Sequence, residues 1–130
     1  MQCFKRVAMP KIPKLFADLV ATVNKKAVVT SIHYYHPQFK KIVFQGDDLK
    51  GLKCNPGAQI EPRVSDTDFR HYNPSAFDSS TGTCEMLIYL HNKGAGSRWA
   101  ENIRPGEPVY LMGPANKISL NTTAPKVVLL

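Results

Sequence analysis

Two short stretches carry side chains whose types and spacing suit the capture of a phosphorylated aromatic ligand. The first is Arg70-His71-Tyr72-Asn73. In an extended segment alternate side chains share a face, so Arg70 and Tyr72 point the same way. A guanidinium makes paired hydrogen bonds to a phosphate, and a phenol ring one face-step away offers a flat surface to a heterocycle. The ordinary alternative is a surface Arg beside a half-buried Tyr. The second stretch is LHNKGAGSRWAENIRPGEP, residues 90–108. Gly94 and Gly96 permit backbone geometry and close approach that a Cβ would hinder. Ser97 stands where the N-cap of a helix over RWAENI is expected. The free N–H groups at such a helix start, reinforced by its dipole, suit phosphate or another anion. Taken alone, the second stretch is also a plain turn and cap; the pairing of guanidinium, ring and helix end is what points to a site.

These residues need a scaffold, and the pattern around them is mostly one of strands. PKLFADLVATVN, residues 13–24, spaces Leu15, Phe16, Leu19, Val20 and Val23 as an amphipathic helix behind Pro13. After it, AVVTSIHYYH (27–36) and FKKIVFQ (39–45) are β-branched and aromatic, with His36-Pro37 between them as a turn. KCNPGAQIEPRV holds a turn at Asn55-Pro56-Gly57 and a further strand broken by Pro62, which fits a sheet only at an edge or bulge. FRHYNPSAF (69–77), GTCEMLIYLH (82–91) and EPVYLMGP (107–114) complete six strands. The expectation is an all-β fold: a six-stranded antiparallel Greek-key barrel with an N-terminal helix and a short capping helix near 97–103.

A chain of 130 residues is expected to form one domain. Its net charge of +7 is uneven: residues 1–63 hold eleven basic and four acidic side chains, and residues 64–130 hold six of each. Such a basic half attracts nucleic acid, an anionic ligand or an acidic partner, or is simply a solvated surface. Cys3, Cys54 and Cys84 are odd in number and form no Cys-x-x-Cys pair, which favours a reduced, cytoplasmic protein without zinc or redox thiols. His33 and His36 point to opposite faces of one strand and make poor joint metal ligands. No segment is apolar enough to span a bilayer, and MQCFKRVAMPKIPK lacks the apolar run of a signal peptide. The final APKVVLL reads as the first strand of a further domain, or as a seventh strand of the same barrel.

FRHYN followed by LIYLHNKGAGSRWAENIRPGEPVYLMGP resembles the siderophore-interacting proteins, flavin-dependent ferric-siderophore reductases of the ferredoxin reductase-like group. The resemblance covers most of the chain. It implies FAD as cofactor, with Arg70 on its phosphates, Tyr72 and Asn73 beside the isoalloxazine, and backbone N–H groups around Ala95, Gly96 and Ser97 on the pyrophosphate, in front of the helix that carries Trp99. His91 either places the flavin or its ribityl chain or caps its strand. Domains are then expected at 1–124, the FAD-binding barrel, and 125–130, the start of a missing NAD(P)H-binding domain. A ferric siderophore is the substrate of a complete relative, and the uncovered C-terminal strand favours self-association.

Two departures from the family pattern concern the cofactor. Asn73 stands where Thr or Ser is usual, and Ser75 where many relatives carry a further Arg, which implies a weaker grip on FAD. The rival reading is a basic barrel that binds single-stranded nucleic acid, with Tyr34, Tyr35, Tyr72 and His71 as stacking platforms.

Overall fold

The computed structural model describes residues 13–15 and 25–116. Lys14 and Leu15 have helical backbone; the remainder of the expected N-terminal helix and the expected start of a second domain at 125–130 lie outside the described residues. Six strands follow in chain order: β1 Lys25–His36, β2 Phe39–Gln45, β3 Gln59–Pro62, β4 Pro74–Asp78, β5 Thr83–Tyr89 and β6 Pro108–Ala115. One α-helix, α1, spans Gly94–Asn102, and a 3-10 turn spans Asp47–Leu49. The sheet order is β3-β6-β1-β2-β5-β4, with every neighbouring pair antiparallel. The expected all-β architecture is the observed one, curled so that α1 lies across its open side.

Alternation sets the inner face. On β2 the in-phase residues Lys40, Ile42 and Phe44 are buried, and on β5 so are Cys84, Met86 and Ile88. Register places them opposite one another, Lys40 with Ile88, Ile42 with Met86 and Phe44 with Cys84. Ala27 and Val29 of β1 and Val109 and Leu111 of β6 extend this layer, and Leu90, Ala100 and Ile103 close it beneath α1. These apolar side chains leave water together, which is the main force that curls the sheet and holds α1 against it.

The two edge strands are joined by the segment that carries Arg70 and Tyr72. The expected strand over 69–77 is interrupted: Phe69 pairs with Arg63 and Tyr72 with Ile60 in single antiparallel bridges, and only from Pro74 does the chain run along β5 as β4. Pro74 has no N–H to give to a ladder, and the register slips between Pro74 and Ala76. Residues 69–73 therefore cross from β3 to β4 and tie the open edges together. Pro62 ends the edge strand β3, as its missing N–H requires, and its carbonyl accepts the Arg70 N–H at 3.2 Å.

Candidate functional site

The helix start differs from the expected one. α1 begins at Gly94, three residues ahead of Ser97, because Gly94 takes a φ of +80° that turns the chain directly into the helix. Ser97 thus lies inside the first turn, 4 % exposed, and its Oγ accepts the N–H of Asn92 at 3.0 Å, fastening the incoming chain. The Lys93 N–H donates to Nδ1 of His91 at 3.2 Å, so His91 steadies the residue that leads into α1. A helix begun at Gly94 leaves the N–H groups of Gly94, Ala95 and Gly96 with no carbonyl one turn earlier. No acidic side chain stands in that turn.

Arg70, Tyr72, Gly96 and Trp99 meet at this helix end. A Cβ placed on Gly96 would lie 2.6 Å from the Tyr72 hydroxyl and 3.3 Å from Cγ of Arg70, so the absent side chain is what admits both. The Tyr72 ring also stacks with Trp99, with centroids 6.3 Å apart and planes at 29°. Burial pushes the Tyr72 phenol above its ordinary value, and the Arg70 charge only partly opposes this. The hydroxyl therefore stays protonated at neutral pH and able to donate.

Arg70 is held from behind. It donates from Nη1 to the Phe69 carbonyl at 3.0 Å, and the same nitrogen lies 3.7 Å from Oδ1 of Asp68. Asp68 is 6 % exposed, and its other oxygen accepts the Ser65 hydroxyl at 2.6 Å. These contacts use a minority of the five guanidinium donors and leave the rest for a ligand. On the opposite face His71 Nε2 meets Glu61 Oε2 at 2.8 Å, which pins the segment to β3.

The remaining candidates fall into different surroundings. Nδ2 of Asn73 donates to the Ala58 carbonyl at 3.0 Å and lies 3.4 Å from that of Gly57, so this amide supports the 55–58 turn. The Ser75 hydroxyl donates to the Glu85 carbonyl at 3.3 Å. Tyr34 lies over Lys40, whose Nζ meets the Ala100 carbonyl, whereas Tyr72 lies against Gly96, about 6 Å earlier along the helix. Tyr35 stands exposed against His33, with centroids 4.5 Å apart. The aromatic residues do not line up as one stacking track. Among the described residues no group of three or more His, Cys, Asp and Glu is placed to hold a metal ion, and no helix is long and apolar enough to cross a membrane.

Sequence reasoning missed two positioning groups. Asp68 follows a Ser-x-x-Asp pattern, a turn signal directly before Arg70. Lys40 carries a charge of the kind ordinarily found at the surface, yet it shares the inner phase of β2 with Ile42 and Phe44. Its Nζ donates to the Ala100 carbonyl at 2.6 Å.

Residues 55–118 match the family of siderophore-interacting FAD-binding domains. Among solved structures, a siderophore-interacting protein of Acinetobacter baumannii superposes with a TM-score of 0.68 at 22 % identity, over 76 % of this chain and 43 % of its own. Another, from Aeromonas hydrophila, gives 0.61 at 21 % identity, over 72 % and 44 %. The chain is also 28 % identical over 74 residues to an NADH-cytochrome b5 reductase of Dictyostelium discoideum, 56 % of this chain and 26 % of that one. It spans less than half the length of each of these relatives.

Proposed function

We propose, from the match of residues 55–118 to the siderophore-interacting FAD-binding domains and with FAD as cofactor, that this chain is the FAD-binding barrel of a flavin-dependent ferric-siderophore reductase working in the cytoplasm. The observation that carries this reading is the meeting of Arg70 and Tyr72 with the start of α1 at Gly96. The residues present fit the cofactor: an anion needs free donors, which the first turn of α1, with no acidic side chain, and the uncommitted donors of Arg70 supply, and a flat ring system needs an apolar partner, which Tyr72 beside Trp99 supplies.

When bound, FAD supplies the redox chemistry, accepting hydride from a nicotinamide and passing electrons singly to ferric iron. The chain's own residues bind and orient. The N–H groups of Gly94, Ala95 and Gly96 and the guanidinium of Arg70 would hold the phosphates; Ser97 and His91 fix the chain leading into the helix start that presents those N–H groups. Tyr72 would bear on the isoalloxazine, and Asn73, whose Nδ2 is taken up by the Ala58 carbonyl, would offer it only Oδ1 as an acceptor. Reduction releases the iron because ferrous ion is held more weakly than ferric by hard oxygen chelators. A nicotinamide site would belong to a further domain; this chain spans less than half the length of the siderophore-interacting proteins it superposes on.

The test is anaerobic mixing of the chemically reduced, FAD-loaded protein with a ferric hydroxamate or catecholate chelate in the presence of a ferrous-specific chelator. Two ferrous ions should be trapped per flavin, faster than with free reduced FAD. A rate equal to that of free reduced FAD would remove the reductase assignment.

A further inference from the structure

Lys40 is the most deeply buried charged side chain among the described residues, 2 % exposed, and no carboxylate there pairs with it. Burying a charge is costly unless its donors are met. All three are directed at one place: Nζ lies 2.6 Å from the carbonyl oxygen of Ala100 and 3.4 Å from those of Glu101 and Ile103. These are carbonyls at the end of α1, among the last four that no later turn can satisfy. The ring of Tyr34 covers the ammonium, 5.2 Å from its centroid.

α1 needs such a partner. It has nine residues, two glycines in its first turn, no basic residue in its last and no side-chain bond at its N-cap. A helix this short does not persist by itself, and glycine is a poor helix former. Its charge partner comes from β2, where Lys40 sits between Tyr34 of β1 and Ile88 of β5, in the middle of the sheet. Only about 9 Å of helix separates Ala100 from Gly94. A displacement at the lysine end therefore reaches the N–H groups at the other end almost undiminished.

We propose that Lys40 is a positioning residue for the cofactor phosphates: by holding the C-terminal carbonyls of α1 to the sheet, it sets how far the helix start advances toward Arg70 and Tyr72. This rests on the FAD reading above. Lys40→Met, which keeps length and removes the donors, should shift the backbone amide resonances of Gly94, Ala95 and Gly96 in the ligand-free protein. It should also weaken FAD by about tenfold, the scale of a charge at a partly buried helix end, while riboflavin, which has no phosphate, changes less than about twofold. Lys40→Arg, still able to donate to several carbonyls, should restore most of both. Lys41→Met is the control, since Lys41 lies on the outer face against Glu85 and should leave both readings unchanged. Should the methionine variant not fold, Lys40→Gln carries the same comparison. Unmoved amide resonances at 94–96, or equal losses for FAD and riboflavin, overturn the proposal and leave Lys40 a stabilising residue only. If the unmodified chain binds FAD no better than riboflavin, the FAD reading fails, and the amide resonances still decide the role of Lys40.

Discussion

Gly96→Ala tests the contact on which the site depends. The helical backbone accepts alanine there, and replacing a helical glycine by alanine ordinarily gains up to about 1 kcal/mol. Here the new methyl carbon would stand 2.6 Å from the Tyr72 hydroxyl and 3.3 Å from Cγ of Arg70. The ring cannot swing freely, because it stacks with Trp99. Overpacking of this kind costs about 1–3 kcal/mol, so the net expectation is a loss of about 0–3 kcal/mol, the difference of those two ranges. Tyr72→Phe removes the offending oxygen, and the next ring atom, Cζ, lies at an ordinary 3.7 Å. In that background Gly96→Ala should be neutral or stabilising by up to about 1 kcal/mol. Urea unfolding of the four proteins gives the coupling directly, expected at about 1–3 kcal/mol. In parallel, Gly96→Ala should weaken FAD, since Tyr72 must tilt away from the ligand. An equal gain in both backgrounds would show that the hydroxyl does not lie against the helix start, and the constellation would come apart.

Arg70→Ala should weaken FAD by about 1.5–3 kcal/mol, the range for a hydrogen bond to a charged group, with riboflavin little affected in the same titration. Arg70→Lys should recover only part of this, because an ammonium cannot form the paired geometry. Burial pushes the Cys84 thiol from 9.0 up to about 12, so the stability it contributes is complete below the ordinary thiol value and is lost as pH rises toward 12. Urea midpoints measured from pH 8 upward should fall more steeply than those of Cys84→Ala. The 130 residues by themselves, loaded with FAD, should oxidise NADPH or NADH no faster than free flavin; saturable bleaching of the flavin band on stopped mixing would place a nicotinamide site within them.

The strands were legible because their periodicity is strong. In FKKIVFQ the β-branched and aromatic positions alternate, and β2 formed where that pattern runs. The same alternation held the information that Lys40 faces inward, but charge is ordinarily read as surface, and a lysine satisfied by helix carbonyls leaves no motif in the sequence. The pairing of Arg70 with Tyr72 was readable from their spacing. The interruption of their strand was not, since it depends on where β3 and β4 lie relative to each other. Ser97 misled because serine is a frequent N-cap; the left-handed conformation of Gly94 moved the start three residues earlier and turned the hydroxyl back to Asn92. Asp68 was overlooked because its work, holding Arg70 in place, appears only once the chain has turned.

This barrel is expected to hold a flavin by its phosphates as well as by its ring, which parallel fluorescence titrations of the purified chain with FAD and with riboflavin can decide. Binding through Arg70 and the start of α1 predicts that FAD is held at least about tenfold more tightly, one hydrogen bond to a charged group being enough for that factor, with its emission falling as the ring stacks on Tyr72. Equal affinity for the two flavins, or no binding of either, would contradict it.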